Sequence, residues 1–359
     1  MENKKFWICA RLAGIGPARL GRLVSAHGSI ENVFSLGAEK LKLEGIPDKV
    51  AANMEGWEKL PWKEEIELCR KNGLRPVTPF DPEYPARLRE IYDPPYILYV
   101  MGEIPDTVMS LAVVGTRTPS TYGTRMAEKL SMELAYWGFT VVSGLARGID
   151  AAAHRGALKG KGRTVGIIGS GFGHFYPREN LELAGRISES GAVLSEFSFS
   201  TKPEPRNFPI RNRIVSGISR AVLVIEAGQK SGALITASCA LEQGRDVLAI
   251  PGQADNIFSR GGNRLLREGA VLVENVNDII DSLNLEKKSK KEEGRKETAS
   301  LTENEKKIME AVGERKVGIE ELSACTGLKA GEISEAILGL ALKNLLSELP
   351  GKVYARRQK

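Results

Sequence analysis

The sequence predicts an α/β protein built on an extended, Rossmann-like, doubly wound parallel sheet, with an all-helical domain before it and a winged helix after it. Three observations predict this. From Thr78 onward short β-branched runs alternate with amphipathic stretches; before that point apolar residues recur at helical spacing between closely set glycines; and a charged stretch poor in apolar residues precedes a closing helix-turn-helix and hairpin pattern. At ~100 to 200 residues per domain, a chain of 359 residues accommodates such a division.

Residues 1–75 read as short helices broken at Gly14, Gly16, Gly28, Gly37, Gly45 and Gly56, with Leu20, Leu23 and Val24 on one face. Within them, Leu12 to Arg19 has the form of a helix-hairpin-helix. Its glycines permit a tight turn, Pro17 suits a first helical turn, and the exposed N–H groups can grip a phosphate. Gly14, Gly16 and Arg19 are therefore candidates for a secondary DNA contact, and a bare packing turn is the competing reading. A second, degenerate copy, Leu43 to Pro47, has a proline in place of the second glycine, so a donor is lost and a structural role is expected there.

Residues 78–284 carry the strands, expected at Leu111 to Val114, Thr140 to Val142, Thr164 to Ile168, Ala192 to Leu194, Ala221 to Ile225, Asp246 to Ile250 and Val271 to Val273. Helices are expected between them at Tyr122 to Trp137, Ile149 to Leu158, Asn180 to Glu189, Ile214 to Ser219 and Leu234 to Gln243. Near-continuous apolar strands alternating with helices mean a parallel sheet covered on both faces. Open sheets of this kind bind ligands outside the carboxyl ends of their strands, where helix N-termini converge.

Five such junctions look built for anions. Gly115-Thr116-Arg117 follows the first strand, and Ser120 is placed to cap the next helix. Ser143 to His154 packs closely through its small residues. Gly169 to Asn180 combines glycines with Phe175, Tyr176 and Arg178, and Arg206 to Arg213 holds three arginines and no acid. At the fifth, Ser231-Gly232 opens a helix that could hold a nucleotide phosphate. Arginines and amides hold phosphates, and aromatic faces stack unpaired bases at ~1 to 3 kcal/mol each, a combination that suits single strands.

Each junction has a plainer reading. Arg211 and Arg213 diverge by about 200° on a helix, so one can face a ligand while the other pairs with a core carboxylate such as Glu196 or Glu226. His154 reads as a packed or hydrogen-bonded histidine. Phe172, Phe175 and Tyr176 could equally cover the sheet edge.

Leu285 to Ser300, with charges of both signs and almost nothing apolar, reads as a flexible linker. After it, residues 301–359 show Glu303 to Ala311, Gly318 to Gly327, Ala330 to Leu346 and a Gly-tipped hairpin, which together describe a winged helix. Glu332 and Glu335 on its would-be recognition helix repel phosphate, which favours a partner-binding role over duplex reading.

The whole chain sets further bounds. With 42% hydrophobic and 27% charged residues and no long uncharged apolar run, no membrane span is expected; Phe6 to Ala10 is too short for a secretory signal, so a cytoplasmic location is expected. Four scattered cysteines and three histidines offer neither a zinc site nor a disulfide frame, and no metal or cofactor is expected. A net charge of +6 allows a polyanionic partner. His174 stands where a GxGxxG fingerprint needs its third glycine, and no Walker A sequence, CxxC, HExxH or GxSxG is present.

Taken in order, VVGTRTPSTYG (113–123), SGLARGIDAAAHRGAL (143–158), TVGIIGSGFGHFYPREN (164–180), LSEF (194–197), FPIRNRIVSGIS (208–219), VIEAGQKSGALITASCALEQGRDVLAIPG (224–252) and GGNRLLREGA (261–270) resemble the DprA/Smf family of DNA-processing proteins. The resemblance implies an N-terminal domain of SAM or helix-hairpin-helix type, a Rossmann-like domain and a winged helix. It also implies a homodimer that binds and protects single-stranded DNA and assists its transfer to RecA recombinase in natural transformation, without covalent catalysis. Carried over by motif, the nucleic-acid-binding residues are Gly115, Thr116, Arg117, Gly171, Phe175, Arg178, Asn180, Arg211, Asn212, Arg213, Ser231 and Gly232. A nucleotide N-glycosidase of the lysine-decarboxylase-like group is the alternative, but its PGGxGTxxE loop is broken here at Pro251-Gly252-Gln253.

Overall fold

The computed structural model describes residues 4–285 and, beyond them, 302–313, 315–328, 330–342, 345–349 and 353–356. They fall into two compact units, divided between residues 286 and 287. The linker expected at 285–300 lies outside the described residues except for Leu285, which packs on one of the sheet's two cores.

The first unit is organised by nine strands: β1 (Leu74–Val77), β2 (Leu98–Gly102), β3 (Ser110–Val114), β4 (Thr140–Ser143), β5 (Thr164–Ile167), β6 (Ala192–Ser195), β7 (Ala221–Val224), β8 (Asp246–Ala249) and β9 (Val271–Leu272). Their spatial order is β1-β2-β6-β5-β4-β3-β7-β8-β9. Pairing from β6 through to β9 is parallel throughout. Along β3, Leu111 and Val113 enter one core while Ala112 and Val114 enter the other, the period-two alternation of a strand buried on both faces.

The sheet is not purely parallel, which corrects the sequence reading. β2 pairs antiparallel with β6, and β1 antiparallel with β2. Pro76 argues against a strand in the sequence, yet β1 is an edge, where a missing N–H costs no ladder bond. These two strands tie the helical segment to the sheet: Tyr96, Ile97 and Tyr99 share a core with Ile8, Leu20, Leu41 and Met54. Glu65, from the helix Trp62–Lys71, is buried and accepts the Phe199 N–H at 2.7 Å across that boundary, and burial pushes its carboxyl up from the ordinary range.

The helix expected at Ile214 begins at Asn207 and runs to Ile218, so the arginine-rich segment is helical and not a loop. Pro209 hides this in the sequence, but it stands in the first turn, where a proline breaks no intrahelical bond. The other helices of this region, Thr121–Tyr136, Ile149–Lys159, Leu181–Ser188 and Gly232–Glu242, lie close to their expected spans. Among the described residues no helix is long and apolar enough to cross a membrane.

In the second unit, helices Glu303–Val312, Ile319–Thr326 and Ala330–Leu342 pack around Ile308, Leu322, Ile333 and Leu340, beside a three-stranded antiparallel sheet. Thr302 and Glu305 form a capping box that starts the first helix. The last helix stops at Leu342 rather than at Leu346, which enters a strand instead. Glu332 and Glu335 are exposed on it.

Candidate nucleic-acid interface

Strand order reverses between β3 and β7, so the loops leaving these two strands diverge and leave a crevice of about 830 Å³ at the carboxyl ends. Gly115, Thr116 and Arg117 form one wall; Gly228, Lys230, Ser231 and Gly232 form the opposite one. The two loops are held from behind by Glu226. Its backbone oxygen accepts the Thr116 N–H at 2.7 Å, and its buried carboxylate accepts the Ser120 N–H at 2.9 Å and the Ser120 hydroxyl at 2.5 Å. Ser120 Oγ in turn caps Thr121–Tyr136 through the Gly123 N–H, and Ser231 caps Gly232–Glu242 through the Ala233 N–H. Two helix N-termini are thereby fixed at the crevice, where their dipoles favour an anion.

A third wall is the helix Asn207–Ile218. Phe208, Arg211, Asn212 and Val215 line the crevice at helical positions i, i+3, i+4 and i+7, one face of the helix. Arg117 lies over the Phe208 ring, its guanidinium carbon 5.2 Å from the centroid, and Tyr176 sits 5.8 Å from the same ring. Arg117 and Lys230 are exposed and have no carboxylate partner among the described residues. An aromatic surface topped by unpaired cations is what a flexible strand of bases and phosphates requires.

The floor is different. Arg211 is buried and donates Nη1 to the Gly144 and Ile167 carbonyls and Nε to Asn212 Oδ1 at 3.2 Å; Asn212 then donates to the Gly232 carbonyl at 3.2 Å. Burial brings the Arg211 guanidinium down to about 10, with buried Asp150 acting in the opposite direction. Burial also pushes the Asp150 carboxyl up, against the pull of Arg211. Asp150 is the one carboxylate lining the crevice among the described residues.

Seven of the expected contacts, Gly115, Thr116, Arg117, Arg211, Asn212, Ser231 and Gly232, are brought together here. Arg178 is exposed on the turn just beyond crevice-lining Tyr176, with no carboxylate partner among the described residues. Four expectations are corrected. Gly171 is buried with its N–H bonded to Thr201 O, and a side chain there would strike the Ser198 carbonyl at 2.0 Å, so the glycine serves close packing. Phe175 is a core residue beside Leu145 and Leu183. Asn180 is spent on the Leu145 and Ala146 carbonyls at 2.9 and 3.1 Å. Arg213 faces away from the crevice, paired with Glu196 at 2.5 Å and Asp93 at 3.1 Å.

Phe208 and Lys230 stand in the segments the sequence singles out but are not among its chosen contacts. Helical phase would have found Phe208, since it shares a face with Arg211 and Asn212. Pro203, Pro205 and Phe258 also line the crevice, and nothing in their local sequence marks them.

His154 is buried in Ile149–Lys159 and fits the packed reading. Thr164 donates its hydroxyl to Val141 O at 2.7 Å and therefore accepts from His154 Nδ1–H at 2.7 Å, leaving Nε2 bare, buried and without a partner. Burial holds the imidazole down to about 3, so it stays neutral.

The helix-hairpin-helix takes the expected shape. Gly14 closes Lys5–Ala13 at φ 86°, a left-handed backbone that favours glycine, and Gly16 leads into Pro17–His27 with Pro17 in the first turn. Its degenerate copy repeats the shape with Gly45 at φ 81°. Gly14 and Gly16 line a separate cleft and not the crevice, and Arg19 is exposed.

The fold and this crevice define a Rossmann-like protein built to hold an anionic ligand at its switch point by amides, guanidinium groups and aromatic faces. The chain belongs to the DprA/Smf family. Residues 75–284 match the family model of DNA recombination-mediator protein A, and residues 292–352 match the DprA winged helix domain. Protein Smf of a Synechocystis species is 35% identical, covering 99% of either chain. DNA processing protein DprA of Bacillus subtilis is 42% identical over 61% of this chain and 74% of its own. Among solved structures, DNA processing protein A from Streptococcus pneumoniae superposes with a TM-score of 0.66 at 34% identity, covering 76% of this chain and 95% of that one. The Helicobacter pylori protein, studied for its single-stranded DNA binding mode, superposes with a TM-score of 0.52 at 28% identity, covering 59% and 95%.

Proposed function

We propose that this protein binds and protects single-stranded DNA in the switch-point crevice and assists its transfer to RecA recombinase during natural transformation or recombination, as a cytoplasmic homodimer and without covalent catalysis. The observation that carries the reading is the rim: Arg117 and Lys230 stand unpaired over Tyr176 and Phe208, between two capped helix N-termini. The Helicobacter pylori relative, a single-strand binder, supports it. A glycosidase needs a carboxylate free to act at the sugar. In this crevice Asp150 is buried against Arg211, and Glu226 is committed to Ser120, which disfavours that alternative.

In this reading Gly115, Thr116, Ser231 and Gly232 hold phosphates through backbone and hydroxyl groups, Arg117, Lys230 and Arg178 supply charge, and Tyr176 and Phe208 supply stacking faces. Fluorescence anisotropy with labelled oligothymidylate over a range of salt tests it. Replacing both Arg117 and Arg178 by Glu is expected to weaken binding on the order of 100-fold and to flatten the salt dependence. Unchanged affinity and slope in the folded double variant would refute the reading.

A further inference from the structure

A second cleft, of about 710 Å³, lies across the helix Asn207–Ile218 from the crevice. Ile210 and Arg213 face it, while Phe208, Arg211 and Asn212 face the crevice; Pro209 lines both. Two acceptors at this cleft have no donor. Glu196, 3% exposed, gives Oε2 to Arg213, and its Oε1 is buried without a hydrogen-bond partner. Gln243 donates Nε2 to the Arg213 carbonyl at 3.0 Å, an oxygen that can only accept, so its amide oxygen is fixed the other way; that oxygen is also buried and unpartnered. A fold tolerates buried orphan acceptors at a cost in stability, and both of these flank one residue, Arg213.

The rest of the lining offers what a nucleotide needs beyond its base edge. Arg11 lies 4.9 Å over the Phe197 ring, a cation and an aromatic face together. Gly16 and Pro17 begin an 11-residue helix whose first-turn amides have no side-chain cap. The carboxylates already meet guanidinium groups: Arg213 bridges Glu196 and Asp93, and Arg11 lines the same cleft. What is missing is a pair of neutral N–H donors.

We propose that this cleft reads a guanine in the bound strand, its N1–H and N2–H2 donating to Glu196 Oε1 and Gln243 Oε1 and its phosphate meeting the Gly14–Pro17 hairpin. The proposal rests on the single-strand reading above and adds a base preference to it. Guanine is the base whose Watson–Crick edge presents two adjacent donors. Adenine and cytosine set an amino group beside a ring acceptor, and thymine sets its one N–H between two carbonyls, so each would turn lone pairs toward these oxygens. Pro209, common to both cavities, gives a short path for a strand between them.

The test uses the full-length protein and three labelled single strands of equal length: oligothymidylate, the same strand with isolated guanines, and the same strand with inosine, which lacks the N2 amine. The guanine strand is expected to bind about tenfold more tightly than oligothymidylate, as one charge-assisted hydrogen bond or more would give, with most of the gain lost for inosine. Gln243→Leu, at a half-buried site outside the ion-pair network, is expected to bring the guanine strand close to the thymidine strand. Glu196→Gln turns an amide N–H2 toward the cleft and should reverse the preference; Gln243→Leu decides if that variant does not fold. Salt-sensitive binding with equal affinity for all three strands overturns the guanine site and leaves the single-strand reading standing. Binding of none of them overturns that reading and the guanine site with it.

Discussion

Rim and floor of the crevice both carry arginines, and they do opposite things. At the rim, Arg117 is exposed, lies over an aromatic ring and has no carboxylate partner among the described residues. On the floor, Arg211 is buried and its donors are spent on the Gly144 and Ile167 carbonyls and on Asn212, while two residues further on Arg213 is locked to Glu196 and Asp93. A guanidinium already bonded in a dry site has little left to offer a phosphate, and withdrawing it would strand the groups it satisfies. An arginine count therefore overstates the binding surface: the rim meets the ligand and the floor holds the rim in place.

The largest expected effect is at the floor. Arg211→Met leaves Asp150 buried without its countercharge and two carbonyls without donors, and urea denaturation should show a loss of about 3–5 kcal/mol. A loss below about 0.5 kcal/mol would erase the distinction between floor and rim.

A smaller effect comes from the buried histidine behind the same sheet. His154 is held to about 3 in the fold against about 6.5 in the unfolded chain, so below pH 6.5 the unfolded state binds the extra proton and stability falls with pH. Between pH 7 and pH 5 this contributes a loss of about 2 kcal/mol. Parallel urea titrations at the two pH values should show that His154→Gln removes this part of the slope; an unchanged slope would mean that other groups carry it.

The smallest belongs to the rim. Phe208→Ala removes the ring beneath Arg117, and single-strand affinity should drop about tenfold while the unfolding midpoint moves little. A large midpoint shift with unaltered affinity would assign Phe208 to the floor.

Much of this was legible in the residues. The runs that became β3 to β8 are apolar at nearly every position because both of their faces are covered, and the glycines and hydroxyls immediately after β3 and β7 point to anion-holding turns. β1 and β2 escaped because a four-residue run containing Pro76 does not read as a strand until its place at the edge is known. Phe175 and Tyr176 show the limit more sharply. They are adjacent aromatics in one loop, yet one is core and the other lines the crevice. No local periodicity separates them, since the path of an irregular loop is set by what it packs against.

By itself the sequence determined the order of strands and helices, the capped N-termini at the loop ends and the family, because these follow from local periodicity, turn chemistry and residue identity. Only the tertiary structure decided which charges remain available to a ligand. That depends on which carbonyls and carboxylates, distant in the chain, come within hydrogen-bonding distance of each guanidinium, as Glu196 does for Arg213 and as none does for Arg117 among the described residues.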